Sequence, residues 1–320
     1  MGWYPQSRRP GLAVLAVSMA VCACTPQPDM SGIAKERQRP IQRYDISQAV
    51  AANSKVVVAG TQSGAVLVSS DQGKSWARQV LGAVSLVDIK VCGEGFVAID
   101  HYHKVWSADA AGANWKSVSL TDPLTPIVVA CDPGGGWWVA GTQAVIAASH
   151  DQGTSWQVTD LKKDAQLTTL QFIDADHAVA MGEFGITVFS DDGGKTWQKG
   201  PKIPGDFYPY AALFTSRNQG WVSGIAGQIL VTTDGGKTWQ KQNNLTQAPL
   251  YRLFLHEGVP YGVGAGGTVA RLDGDAWRTV PYPDTLPVFL GGGTPLPGQK
   301  ALVAGGPGGV LRAIGTDTKQ

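Results

Sequence analysis

The chain has 320 residues, a formal net charge of +1, 41 glycines and 19 prolines. So even a charge balance gives no electrostatic reason to expect a nucleic-acid partner. The glycine and proline content, with no sustained helical apolar period, excludes a helical bundle and predicts an all-β protein.

The first segment reads as an address. Arg8 and Arg9 form a positive start, and Gly11–Val21 is an apolar run too short to span a bilayer. The run Val21-Cys22-Ala23-Cys24 resembles the lipobox of bacterial lipoproteins and makes Cys24 the expected lipidation site. Residues 1–23 are then a signal peptide and 24–40 a tether, and loss of Arg8 and Arg9 takes the formal charge to −1. Thr25 stands where an inner-membrane lipoprotein would carry Asp, so the expected address is the outer membrane, facing the periplasm. The basic run Lys35–Arg43 reads as a solvated tether able to touch anionic lipid.

A phrase then recurs along the chain. "SSDQGKSW" begins at Ser69, "SHDQGTSW" at Ser149, "SDDGGKTW" at Ser190 and "TTDGGKTW" at Thr232, with worn copies "SADAAGANW" at Ser107 and "LDGDAW" at Leu272. The tryptophans at 76, 115, 156, 197, 239 and 277 lie 39, 41, 41, 42 and 38 residues apart. A period near 40 that holds four short strands per unit is the signature of a propeller blade. Between the second and third strands of most units runs a Gly-rich turn, as in "GEFGITVFS" at Gly182 and "GIAGQILVTT" at Gly224. Its glycines are expected to supply positive φ in tight hairpins near a central axis. Units starting near 44, 83, 124, 165, 207, 249 and 285 predict a seven-bladed β-propeller of four-stranded blades over residues 41–315, with a tail at 316–320. The seventh unit ends after three strands, so a strand from Ile41 to Ile46 is expected to close it.

The Gly-Gly-Lys-Thr core of the repeated phrase is no phosphate loop, because Val231 occupies the position where such a loop needs its first glycine. The expected role is structural: Asp71, Asp109, Asp151, Asp192, Asp234 and Asp273 accept hydrogen bonds within their own turns. Trp76, Trp115, Trp156, Trp197, Trp239 and Trp277 pack between strands. Cys92 and Cys131 end equivalent strands of consecutive units; a disulfide and two unpaired buried thiols are both open. Zinc is not expected, since no further ligand stands at the required spacing, and no cofactor is implied.

The phrase is the Asp-box of sialidases and related propellers. Together with the turn before it, as in "GWVSGIAGQILVTTDGGKTWQK" and "AVAMGEFGITVFSDDGGKTWQK", the sequence resembles the photosystem II stability and assembly factor family across residues 44–313. The resemblance implies a chaperone-like, non-catalytic factor that binds a newly made membrane protein, although members in other bacteria are often labelled glycosyl hydrolases from the Asp-box alone. Because a lipoprotein leader stands where a thylakoid-directed one is expected, photosystem II itself is not the favoured client.

A sialidase-like site would need an arginine cluster, a tyrosine backed by a glutamate, and an acid/base aspartate. The blades carry only Glu94, Glu183 and Glu257, scattered over three units, and no Tyr-Arg-Ile-Pro string. A binding face is easier to place, where the inner turns and blade connections emerge together. There the sequence offers Asp100, His101, Tyr102 and His103 in "DHYHK", Phe184 in "GEFG", Phe207, Tyr208 and Tyr210 in "PGDFYPY", Tyr251 and Arg252 in "PLYR", and Tyr282. His101 and His103, at i and i+2, would share one side of a strand and could hold a metal with Asp100, but two ligands make a poor site. Many aromatics and few charges compose a protein or apolar-ligand contact surface. The expected function is a non-enzymatic envelope scaffold or assembly factor for a membrane or envelope protein complex, with a transporter one plausible client. Two alternatives are a carbohydrate-active or carbohydrate-binding propeller and a ligand-binding accessory lipoprotein of an envelope transporter.

Overall fold

The computed structural model describes residues 1–2 and 29–316. The leader and Cys24 lie outside the described residues. The described residues fall into two units, one ending at Gln38 and one beginning at Arg39. In the first, Ser31–Arg37 forms a short α-helix that buries no side chain.

The second unit is a succession of antiparallel meanders. Blade 1 comprises strands Ser47–Ala52, Val57–Thr61, Ala65–Ser69 and Ala77–Val80. Blades 2 to 6 repeat this plan over Leu86–Ser119, Pro126–Asp160, Leu167–Lys199, Pro209–Asn244 and Leu250–Thr279. Blade 7 has three strands, Gly292–Pro295, Ala301–Gly305 and Leu311–Gly315. The first strand of each blade lies against the first strand of the next, and Gly292–Pro295 lies against Ser47–Ala52, so the ring closes.

The alternation of strand side chains explains why a ring forms. Second strands such as Val57–Thr61, Trp137–Gly141 and Ala178–Gly182 are buried at every position, on both faces of their sheets. Each blade therefore needs a neighbour on either side. The core is accordingly seven clusters, one per blade interface, rather than one centre.

Four Asp-boxes share one geometry. In box five, Thr232 Oγ1 donates to Asp234 Oδ1 at 2.8 Å and accepts from Gly236 N–H at 2.8 Å. Asp234 also accepts from Thr238 N–H at 2.9 Å and from the Thr238 hydroxyl at 2.6 Å. Asp71, Asp151 and Asp192 repeat the set. The worn second box keeps the principle, with Asp109 accepting from Ala111 and Ala113 N–H and from the Asn114 amide. In box five the Thr238 hydroxyl, then the Thr238 N–H, hold the Asp234 carboxyl down to about 2; serine or threonine hydroxyls act likewise on Asp71, Asp151 and Asp192.

The box tryptophan and glycine join blades rather than strands. Trp76, Trp115, Trp156, Trp197, Trp239 and Trp277 each pack in the cluster shared with the preceding blade. Gly194 and Gly236 sit at φ +86° and +84°, and a Cβ there would run into Trp138 of blade 3 and Phe189 of blade 4. Both the backbone angle and the contact therefore demand glycine.

Three expectations need correction. Ile41–Ile46 is not a strand, and blade 7 has three strands among the described residues. Closure comes from a turn: Ser47 N–H bonds Gly306 O and Gly309 N–H bonds Asp45 O. Asp45, fully buried, takes a two-pronged pair from Arg78 at 2.7 and 3.1 Å, with Ser63 and Gln42 N–H completing its shell. Burial pushes the Asp45 carboxyl up, but those hydrogen bonds and the Arg78 charge outweigh it and the net shift is downward.

Second, Asp273 makes no box. It pairs with Ala276 across the two-residue turn Gly274-Asp275, and its carboxylate meets Arg278 at 3.5 Å instead. Third, the first glycine of the inner turns is extended, as at Gly182 and Gly224, and positive φ falls later in the turn, at Gly64, Gly185 and Gly227 and at the pairs Gly266–Gly267 and Gly308–Gly309. Cys92 and Cys131 are joined in a disulfide with Cα atoms 5.3 Å apart, linking the first strands of blades 2 and 3.

Asp45→Ala leaves a mostly buried guanidinium unpaired and is expected to cost about 3 kcal/mol in chemical denaturation; an unchanged midpoint would show that closure lies elsewhere. The four depressed box carboxyls contribute stability that is present above the ordinary carboxylate range and lost as pH falls from about 4 toward about 2. Asp234→Asn should shrink that acid-limb slope in pH-dependent melting.

Candidate functional site: the inner-turn face

In a closed meander the inner turns and the blade connections emerge at one end, opposite the boxes. Most of the ring's exposed large apolar side chains lie there, Tyr44, Tyr102, Leu124, Phe184, Ile225, Leu245, Leu286 and Phe289, against Val80, Val158 and Leu255 elsewhere. Exposed apolar side chains gathered at one end of the ring make that end the candidate contact surface.

Within it, four rings form a chain across blades 5 to 7. Tyr208 meets Tyr210 edge-on at 5.7 Å, Tyr210 meets Tyr251 at 5.3 Å, and Tyr251 meets Phe289 at 6.4 Å. Burial, with the nearby Glu183 carboxylate and Tyr210, raises the Tyr208 phenol. Phe289 escaped the sequence reading because its neighbours "PVFLGGG" look like an ordinary strand; the packing of blade 7 against blade 6 brings it beside Tyr251.

Behind this arc lies the central channel, with a cavity of about 270 Å³ lined by first strands of blades 2 to 6. Arg252 reaches into it and approaches Asp88 of blade 2 at 3.5 Å, where Lys90 also stands at 3.4 Å. Asp88 accepts Val129 N–H at 3.1 Å. Arg252 is therefore a channel residue rather than part of the aromatic rim. Glu94 pairs with Lys55, Glu183 accepts Gln166 N–H, and Glu257 sits in a blade 6 hairpin, so the three glutamates serve separate turns.

Several residues expected on the face are otherwise engaged. Asp100 is fully buried and accepts from Tyr102 N–H, Lys104 N–H and Trp106 Nε1. The segment His101–His103 is a turn, with His103 at φ +59°, so the two imidazoles do not share a strand side. Phe207 is buried in the blade 4–5 cluster. Tyr282 packs at the blade 6–7 interface and donates to Gly267 O at 2.6 Å. Tyr102, Phe184, Tyr208, Tyr210 and Tyr251 remain accessible.

Phe184 occupies the left-handed region, φ +57° and ψ 25°. The same turn position holds Gln143, Ala226 and Gly266 in other blades, so the conformation belongs to the turn and an exposed phenylalanine is its least suited occupant. Strain of this kind collects at contact sites.

A family model described as photosynthesis system II assembly factor YCF48 matches residues 107–216, and a BNR/Asp-box repeat model matches 230–241. The chain is 27% identical over 183 residues to the photosystem II assembly protein Ycf48 of Thermosynechococcus vestitus, covering 53% of this chain and 51% of that one. It is 27% identical over 180 residues to the photosystem II assembly lipoprotein Ycf48 of a Nostoc species, covering 53% and 52%. The chain thus matches about half the length of these curated relatives. The Nostoc relative is itself named a lipoprotein. Among solved structures, YCF48 bound to D1 peptide superposes with a TM-score of 0.69 at 15% identity, covering 88% of this chain and 96% of that one. A virginiamycin B lyase from Staphylococcus aureus superposes with a TM-score of 0.72 at 12% identity, covering 85% and 96%. The fold thus serves both a binding protein and an enzyme, and it does not choose between them.

Phe184→Gly is expected to raise stability by about 1 kcal/mol through relief of the left-handed strain; a lower melting temperature would make Phe184 a packing residue. The chain is an Asp-box β-propeller, similar over residues 107–216 to the photosynthesis system II assembly factor YCF48 family.

Proposed function

We propose that the chain is a non-enzymatic assembly or stability factor, tethered through Cys24 in the bacterial envelope, that holds a segment of a membrane-protein client on its inner-turn face. The observation that carries this reading is the arc Tyr208–Tyr210–Tyr251–Phe289. Tyrosines offer large contact area at low entropic cost and are enriched where protein partners bind. The open channel behind the arc could take side chains of a bound segment.

Support for orientation comes from the point where the chain enters the ring. Pro40 O accepts from Arg78, and Asp45 binds the inner turns of blades 1 and 7, so the second unit's first residues run along the inner-turn end of the ring. A lipid at Cys24 would then keep that end toward the membrane. The periplasmic leaflet of the outer membrane is the address that Thr25 favours. Similar proteins include assembly factors and a peptide complex, which supports a binding role.

Against a sialidase-like alternative stands the placement of its required groups: Arg252 is neutralised by Asp88, and each glutamate belongs to a different turn.

A Tyr210→Ala/Tyr251→Ala variant should keep its melting temperature within a few degrees and lose most of the membrane protein recovered by crosslinked pulldown. Undiminished recovery of the same client would move the binding face elsewhere.

A further inference from the structure

Blade 4 departs from the others at its outer edge. Fourth strands elsewhere run four or five residues, but here the strand is Gln198–Lys199 alone. Gly200 N–H still bonds Thr187 O at 2.9 Å, and then Pro201, which has no N–H, ends the ladder. The hydroxyl of Thr187 fastens Pro201 O at 2.6 Å, and the chain turns off through Lys202.

The missing half-strand leaves a groove of about 410 Å³ between blade 4 and the connection from blade 3. Its apolar floor is Leu161, Ile186 and the box residue Trp197, and the strained ring of Phe184 stands over its end on the inner-turn face. Three ammonium groups, Lys163, Lys199 and Lys202, line it against one carboxylate, Asp164. Phe184 and the three lysines are exposed, so the groove is open along its rim rather than sealed.

We propose that this groove binds an acidic peptide segment that places one apolar side chain on the Leu161–Trp197 floor. The excess of positive charge selects carboxylates, and lysine ammoniums suit flexible, single-point pairing with Asp or Glu better than forked recognition of a planar anion. An open groove suits a side-chain anchor, because an acyl chain needs fuller enclosure. The proposal rests on the reading that this chain binds protein segments. It adds a second contact, continuous with the first through Phe184, and specifies the acidity of the segment.

The test is fluorescence polarisation with the mature chain and a dye-labelled peptide in which Asp and Glu flank a central Leu-Phe pair. Saturable binding is expected, weakened at least ten-fold when Leu-Phe is replaced by Gly-Gly, when Lys replaces the acids, or in a Lys163→Glu/Lys199→Glu/Lys202→Glu variant of unchanged melting temperature. Tyr210→Ala/Tyr251→Ala should leave the probe affinity unchanged. Equal binding by the triple-Glu variant, competition by laurate but not by unlabelled peptide, or no saturable binding overturns the groove assignment. If those failures occur while the membrane client is still recovered from wild type, the inner-turn reading stands alone; if client recovery is independent of the tyrosines as well, both readings fall.

Discussion

A sheet with two apolar faces cannot be exposed on either, and the rest of this structure depends on that constraint. With second strands buried throughout, each blade is stable only when flanked, and a line of such blades would leave two bare ends. Closing the line removes the ends. The core is thereby distributed into blade interfaces, and loops at either end of the ring are released from the work of packing and free to carry contacts.

The Asp-box belongs to this economy of packing. Its aspartate fixes a turn, its glycine allows the turn to approach the preceding blade, and its tryptophan fills the interface. Where the phrase decays to "LDGDAW" the hydrogen bonds vanish, yet Trp277 is fully buried, which shows the packing element to outlast the turn element. A related staple went unread in the sequence. Asp100 and Asp132 each bind two N–H groups of a hairpin and the indole of a tryptophan six residues on, Trp106 and Trp138.

What was legible follows the repeat. The four-strand plan of blades 1 to 6 and the hydrogen-bonded turns of the first five boxes follow from local spacing, because each blade is a local meander. Ring closure was misread because it is a contact between distant parts of the chain, made by a buried Asp45–Arg78 pair that no periodicity announces. The candidate face was half legible. Aromatics in connections signalled it, but sequence cannot tell Tyr251, which joins an arc, from Phe207 and Tyr282, which cap interfaces. Channel residues Asp88 and Lys90 were missed because they stand in an otherwise ordinary first strand and meet Arg252 only across the ring.

The central claim is that a membrane-protein segment lies on the inner-turn face. A photo-crosslinking amino acid placed at Tyr251, and in a second protein at Lys195 on the box face, tests it in native membranes. The account predicts one dominant membrane-protein adduct from position 251 and none from 195. Adducts of equal strength from both positions, or from 195 alone, would contradict it.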